Sequence, residues 1–123
     1  MSLTQAAEDR KKRVLVCEDE HIVALDLKLL VEEFGYEVIG PFATVSSAAR
    51  IIERERPDMA ILDVSLKDGE VYPLADQLDG MGVRLVFHSG HVNDAEISER
   101  YPGAACCQKP VNTGALQDAL SEG

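Results

Sequence analysis

Five short, mostly apolar runs, each followed by a segment with helical spacing, constrain the fold of this chain more than any other feature. The runs lie at residues 14–17, 36–39, 59–62, 83–87 and 104–108. Runs of this length and composition are typical of strands that are buried on both faces. Because parallel strands need a crossover connection, the strict alternation of strand and helix predicts one parallel sheet with helices on both faces.

The segments between the runs carry apolar residues three or four positions apart, as one face of a helix requires. Gly35 follows the first segment as a C-terminal cap, and Thr44 precedes the second as an N-terminal cap. A weaker pattern over residues 95–100 predicts a short fourth helix. The residues predicted to face inward are Val23, Leu27, Leu30 and Phe34, then Val45, Ala48, Ala49 and Ile52, then Val71, Leu74, Ala75 and Leu78, and finally Leu116, Ala119 and Leu120.

The length and composition are typical of a single soluble domain. The chain has 123 residues, which is enough for a core that needs neither a disulfide nor a metal. We expect the domain to span residues 13–120 and residues 1–12 to form a polar, partly disordered leader. No apolar run approaches the ~20 residues of a membrane span, and the N-terminus lacks the apolar core of a signal peptide. The predicted location is the cytoplasm, without membrane contact.

Charge and cysteine content narrow the classes of partner. The formal net charge is −10, from 12 basic and 22 acidic residues, and an acidic surface repels phosphate backbones. We therefore expect no direct binding of nucleic acid. Cys17, Cys106 and Cys107 show no zinc-ligand spacing and are predicted to be free thiols in a reducing compartment.

Polar residues gather at the predicted carboxyl ends of the strands, where such sheets carry their functional sites. Glu18 and Asp19 follow the first run, Asp63 the third, Ser89 the fourth and Lys109 the fifth. Converging carboxylates repel one another unless a cation joins them, and a set of oxygen ligands suits Mg²⁺. A lysine and a hydroxyl beside them would hold the remaining oxygens of a phosphoryl group, as phosphoryl transfer requires.

Four motifs contain these residues: Val14-Leu15-Val16-Cys17-Glu18-Asp19-Glu20, Ile61-Leu62-Asp63, Phe87-His88-Ser89-Gly90 and Gln108-Lys109-Pro110. Together they resemble the receiver domains of bacterial response regulators, over about residues 13–120. The resemblance implies an α/β, flavodoxin-like, doubly wound (βα)5 fold whose five-stranded parallel sheet has the order 2-1-3-4-5. It also implies a function in two-component phosphorelay signal transduction.

The resemblance implies a role for each polar residue. Asp63 would be the phospho-acceptor, Lys109 would contact the phosphoryl group, and Ser89 would move toward it and report the change. The Lys109–Pro110 peptide bond is implied to be cis. The implied Mg²⁺ ligands are the side chains of Glu18, Asp19 and Asp63 and the backbone carbonyl of Ser65.

The resemblance also implies partners. A sensor histidine kinase or a phosphotransfer protein would donate the phosphoryl group. The phosphorylated receiver would then act on a downstream protein partner or on an output domain outside this chain. It would be a monomer or a weak homodimer. Since it would catalyse only its own phosphorylation and dephosphorylation, it would not be a conventional enzyme.

The chain departs from the family pattern at Glu18, at Cys106 and in the segment after Asp63, which lacks the usual proline. Glu18 stands where aspartate is more usual, and its longer side chain can still reach a cation. Cys106 stands where an aromatic switch residue is usual. Our hypothesis is that the signal passes instead through the loop after Ser89, at His91.

Three other polar residues in or near the motifs are predicted to have structural roles. Glu20 is predicted to lie in solvent at the start of a helix rather than to bind metal. His88 is predicted to lie at a strand edge. Asp68, which precedes a glycine, is predicted to shape a turn.

Three other functions use a similar fold or site. A flavin carrier needs a phosphate-binding loop after the first strand, where Glu18 and Asp19 would repel a phosphate. An aspartate-nucleophile phosphatase usually has a second aspartate two residues after the nucleophile, where this chain has Ser65. A phosphorylation-independent docking module with the receiver fold stays open as the alternative, and an aspartyl phosphate on Asp63 would exclude it.

Overall fold

The computed structural model describes residues 11–90 and 94–121, which form alternating strands and helices. The strands of the main sheet are β1 (Arg13–Cys17), β2 (Glu37–Phe42), β3 (Met59–Leu62), β4 (Arg84–Ser89) and β5 (Ala105–Gln108). The helices are α1 (His21–Glu33), α2 (Val45–Ile52), α3 (Tyr72–Gly80), α4 (Asp94–Arg100) and α5 (Thr113–Ser121). A small antiparallel hairpin, Ser65–Leu66 with Gly69–Glu70, follows β3. Most of the predicted leader, and His91, lie outside the described residues.

The five main strands form one parallel sheet in the order β2-β1-β3-β4-β5. This confirms the predicted order of 2-1-3-4-5. The helices cover both faces: α2, α3 and α4 pack on one side, and α1 and α5 on the other. The sheet is therefore buried on both faces, which is why its strands read as continuous apolar runs.

The strand register brings the polar residues together. Cys17 pairs with Leu62 across β1 and β3, so the next residues along each strand, Glu18 and Asp63, leave the sheet side by side. Across β4 and β5, Ser89 pairs with Gln108, which places Lys109 one residue beyond, at the same carboxyl edge of the sheet. The Lys109–Pro110 bond is cis, as the resemblance implied.

Strand β2 is longer than the sequence predicted, because it continues through Gly40 and Pro41, where a break was expected. Gly40 has a φ of +106°, and a Cβ at this position would lie 2.9 Å from the backbone oxygen of Val16. Only glycine fits both the conformation and the close approach. The pairing with β1 shifts register at this point and resumes at Phe42.

The inward face of α1 also differs from the prediction. Its fully buried residues are Ala24, Leu27 and Val31, and Val23 is only half-buried. Leu30 and Phe34 are half-buried as well, because the inward stripe of the helix is centred on Ala24, Leu27 and Val31. Three large apolar residues of α1 are instead exposed: Ile22, Leu25 and Leu29.

Candidate functional site

The candidate site lies at the carboxyl ends of β1, β3, β4 and β5. Glu18, Asp63 and Ser89 are each less than one-tenth exposed there. Backbone hydrogen bonds fix them in place: the N–H of Asp63 donates to the carbonyl of Cys17 at 2.9 Å, and the N–H of Lys109 donates to the carbonyl of Ser89 at 3.0 Å. The polar side chains therefore project from a rigid edge of the sheet.

Lys109 is the centre of the charge arrangement. Its Nζ lies 3.0 Å from Oδ2 of Asp63, 2.9 Å from Oε1 of Glu18 and 3.4 Å from Oε1 of Glu20. Burial opposes the charge of the ammonium group, but its contacts with the carboxylates of Glu18 and Asp63 outweigh this effect and raise the pKa of Lys109. One cation thus balances several carboxylates, and it stays protonated at every physiological pH.

Glu18 is a carboxylate whose ionisation is opposed by burial. Its exposed fraction is 2%, and burial raises its pKa from 4.5 to about 7, against the opposing effect of Lys109. Its Oε2 accepts a hydrogen bond of 3.0 Å from the N–H of Glu20. Its Oε1 is buried without a hydrogen bond from any described residue; its 2.9 Å contact with Lys109 is an ion pair that lacks hydrogen-bond alignment.

The acidic residues after β1 form a possible metal site. Carboxylate oxygens of Glu18, Asp19 and Glu20 lie within 4.8 Å of one another. Such oxygen ligands, one of them incompletely satisfied, fit a hard divalent cation such as Mg²⁺. Among the described residues, Asp63 lies outside this acidic group. It is linked to the group by Lys109, which forms ion pairs with both Asp63 and Glu18.

Sequence analysis missed the contact between Glu20 and Lys109. The side chain of Glu20 is largely exposed, as predicted, but it also contacts Lys109 and belongs to the acidic group. The signal was present in the sequence, since Glu20 is the third acidic residue of an unbroken run at a strand end. The sequence does not show in which direction the side chain of Lys109 extends.

The loop after Asp63 folds back on the Asp63 side chain. Oδ1 of Asp63 accepts a hydrogen bond of 3.3 Å from the N–H of Ser65. Ser65 then begins the small hairpin, where it pairs with Glu70. The structure thus brings the predicted site residue Ser65 next to the Asp63 carboxylate, whereas metal binding by its carbonyl stays a prediction.

Sequence analysis placed His88 at a strand edge, and this prediction is wrong. Strand β4 runs between β3 and β5, and His88 is 1% exposed. Neither ring nitrogen has a hydrogen-bond partner among the described residues. Burial, and secondly the positive charge of Lys109, lower the pKa of His88, while Asp63 has a smaller opposing effect. His88 is therefore a neutral imidazole in the core beside the site.

The aromatic packing near β5 does not come from β5 itself. Cys106 is half-buried and pairs with Phe87 on β4. The ring of Tyr101, from the segment between α4 and β5, lies 5.4 Å from the ring of Phe87. The hydroxyl of Tyr101 donates to Asp76 of α3 at 2.5 Å. An aromatic side chain therefore links β4 to α3.

The family of this chain follows from a comparison with known proteins. The sequence model described as "Response regulator receiver domain" matches residues 14–121. The chain belongs to this family. It is a receiver domain of the two-component type, a family that does not consist of conventional enzymes. In the described residues, no helix has the length and apolar character to cross a membrane.

Two curated regulators are similar to this receiver. It is 30% identical to the phyllosphere-induced regulator PhyR of Methylorubrum extorquens over 121 residues, which cover 96% of this chain and 45% of PhyR. It is 37% identical to the transcriptional regulatory protein PdtaR of Mycobacterium tuberculosis over 109 residues, which cover 89% of this chain and 53% of PdtaR. The receiver thus spans about half the length of these relatives.

Solved structures agree with this assignment. A CheY-like receiver domain protein from Methanospirillum hungatei superposes with a TM-score of 0.81 at 28% identity, covering 92% of this chain and 93% of that one. SdrG from Sphingomonas melonis superposes with a TM-score of 0.76 at 29% identity, covering 90% of this chain and 94% of that one. These matches extend over nearly the whole receiver.

Proposed function

We propose that Asp63 accepts a phosphoryl group from a phosphohistidine and that the modified receiver signals to another protein. The observation that carries this proposal is the 3.0 Å contact between Lys109 and the buried carboxylate of Asp63. An anionic nucleophile must approach an anionic phosphoryl group, and a fixed cation beside it lowers the repulsion. The family membership supports the same chemistry.

The proposed transfer is a displacement at phosphorus. An oxygen of the Asp63 carboxylate forms a bond to phosphorus, while the bond between phosphorus and the imidazole nitrogen of the donor breaks. The imidazole leaves with the electron pair of that bond, and its proton balance is restored from solvent. Lys109 would hold one oxygen of the transferring group, and the Ser89 hydroxyl would bind another.

The proposed cofactor is Mg²⁺, held by Glu18, Asp19, Asp63 and the carbonyl of Ser65. The buried, unsatisfied Oε1 of Glu18 and the close approach of the neighbouring carboxylates support Glu18 and Asp19 as members of this donor set. Glu20 is an additional candidate ligand, directly or through a water. When bound, Mg²⁺ supplies positive charge to the phosphoryl oxygens and relieves the repulsion among the carboxylates.

The phosphodonor is proposed to bind on α1. Ile22, Leu25 and Leu29 are 79%, 55% and 54% exposed and lie three and four residues apart, so they form an apolar stripe. A cavity of about 210 Å³ lined by Glu18, His21 and Leu25 makes this stripe continuous with the acidic site. A partner seated there would bring its phosphohistidine to Asp63, so we propose a sensor histidine kinase or phosphotransfer protein.

The output is proposed to be protein binding. A receiver with a net charge of −10 repels nucleic acid, so any effect on transcription would pass through a protein partner or an output domain. The curated relatives are about twice as long as the part matched here, which leaves room for such a domain. We propose a cytoplasmic protein that acts as a monomer or weak homodimer.

The test is an intact mass after incubation with acetyl phosphate and Mg²⁺. We expect one added phosphoryl group, which is absent from Asp63→Asn and from a sample with excess EDTA. Asp118→Asn, an exposed aspartate of α5, is the matched control and should be modified like the wild type. If the wild type gains no mass under any condition, the receiver is a phosphorylation-independent docking module.

The partner surface has its own test. Leu25→Gln is expected to leave modification by acetyl phosphate unchanged, because this small donor needs no protein surface. The same variant should accept phosphate more slowly from a phosphorylated histidine phosphotransfer protein. Equal slowing with both donors would show that the substitution damages the site itself.

A further inference from the structure

We propose that Asp68 is a positioning residue for the proposed phosphoryl transfer: it ties the loop after Asp63 to the N-terminus of α2 and so sets the Mg²⁺ affinity of the site. This inference rests on the proposed function. Sequence analysis expected Asp68 only to shape a turn. The hairpin turn is present, but the side chain does more than close it.

The carboxylate of Asp68 spans two parts of the chain that are far apart in sequence. Its Oδ1 accepts a hydrogen bond of 2.6 Å from the N–H of Val45, and its Oδ2 accepts one of 3.1 Å from the N–H of Ser46. Both donors are first-turn amides of α2, which have no partner within the helix. A negative charge is favourable there because of the helix dipole.

Asp68 is not required as the cap of α2. Thr44 already occupies the N-cap position, and its Oγ1 accepts a hydrogen bond of 3.2 Å from the N–H of Ser47. The two residues use different amides, so α2 keeps its cap when Asp68 is replaced. The contact of Asp68 therefore holds the loop to the helix more than it holds the helix together.

The loop from Asp63 to Val71 is fastened along its length. The N–H of Lys67 donates to the carbonyl of Ala43 at 3.1 Å, and the N–H of Val71 donates to the carbonyl of Val64 at 2.8 Å. Asp68 closes the far end of this arrangement, five residues after the acceptor. The near end carries Ser65, the proposed carbonyl ligand.

These contacts explain how an exposed residue can act on the site. The hairpin between Asp63 and Val71 has only two residues in each strand, which is too few to be stable alone. Leu66 is its one buried side chain between Ser65 and Glu70. Without Asp68, Ser65 would sample more positions, and ordering it would oppose metal binding. The loss of a partner that is bonded directly to a ligand typically weakens metal binding by about 10–100-fold. Because Asp68 acts on Ser65 only through the hairpin, we expect an effect at the lower end of that range.

The experiment compares Asp68→Asn and Asp68→Ala with the wild type, and with Asp118→Asn as a matched control. Mg²⁺ affinity is measured by calorimetric titration, and hydrogen exchange is followed at the amides of Leu66 and Lys67. We expect Asp68→Ala to bind Mg²⁺ about tenfold more weakly and to exchange these amides faster. The amides of Val45 and Ser46, which lose their acceptor, should also exchange faster, whereas the later amides of α2 should stay protected. Asp68→Asn, which keeps one acceptor oxygen, should fall between Asp68→Ala and the wild type.

Each remaining outcome has a defined meaning. If the wild type forms a Mg²⁺-dependent adduct and the Asp68 variants bind Mg²⁺ as tightly as it does, the proposal is wrong although the function stands. Faster exchange throughout α2 would make Asp68 an ordinary helix cap, which also overturns the proposal. If the wild type binds no Mg²⁺ and forms no adduct, the proposed function fails and this inference falls with it.

Discussion

Replacing Glu18 with glutamine should stabilise the metal-free receiver at pH 8. Folding raises the pKa of Glu18 from 4.5 to about 7 because its carboxyl is buried. A carboxyl with a higher pKa in the folded state holds its proton more tightly there, so stability is fully present below the unfolded value and is lost as pH rises toward 7. Glutamine has nearly the same shape and no charge to bury.

The magnitude follows from the size of the shift. One pKa unit corresponds to about 1.4 kcal/mol, so a shift of this size costs up to about 3 kcal/mol at pH 8. Lys109 keeps its contacts with Asp63 and Glu20 in the variant, and the amide oxygen can still accept from the N–H of Glu20. We therefore expect a gain of about 2 kcal/mol at pH 8, which falls toward zero near pH 4.5.

The assay is urea unfolding in EDTA at low salt, followed by far-ultraviolet circular dichroism at pH 8 and pH 5. Glu33→Gln, an exposed glutamate at the end of α1, is the matched control and should change stability at neither pH. Added Mg²⁺ should stabilise the wild type by mass action and the Glu18 variant by much less. A variant that is less stable than the wild type at pH 8 would show that Lys109 fully compensates the buried charge, and the electrostatic account of the site would be wrong.

Three further predictions use the same unfolding assay. Lys109→Met should lose about 3 kcal/mol at pH 8, because it leaves the carboxylates of Glu18 and Asp63 without their cation; the loss should shrink at pH 5 and with Mg²⁺, and an equal loss everywhere would contradict this reasoning. His88→Leu should gain about 1–2 kcal/mol, since it removes two buried nitrogens without partners. Because folding lowers the pKa of His88, this gain should widen as pH falls below 6.5, and a lower urea midpoint would mean that the ring has partners. Tyr101→Phe should lose about 1–2 kcal/mol with the hydrogen bond to Asp76, and an unchanged midpoint would show that this bond adds nothing.

Much of the fold was predictable because the information is local and repeated. Strand β3 and the inward faces of α3 and α5 follow directly from apolar spacing, and all of their predicted residues are buried. The error in α1 arose because hydrophobicity alone does not tell a core leucine from a surface leucine. Leu30, which was predicted to face inward, is only half-buried, while Ala24 is buried, so the inward stripe is rotated from the predicted one.

The gathering of the site was also predictable, since strand order and register determine which strand ends meet. Glu18, Asp63, Ser89 and Lys109 all lie where their positions after the strands predict. The contacts that sequence analysis missed are side-chain contacts between residues far apart in the sequence. Asp68 bonds to amides 22 and 23 residues away, and no local pattern encodes that distance.

The most direct test of the central claim is to locate the phosphoryl group on the chain. The receiver is incubated with acetyl phosphate and Mg²⁺ and then reduced with borohydride, which converts an aspartyl phosphate to homoserine. Peptide mass mapping identifies the altered residue. We predict homoserine at position 63 alone, and none after incubation with EDTA. An unmodified Asp63, or homoserine at another aspartate such as Asp19, would contradict the assignment of Asp63 as the phospho-acceptor.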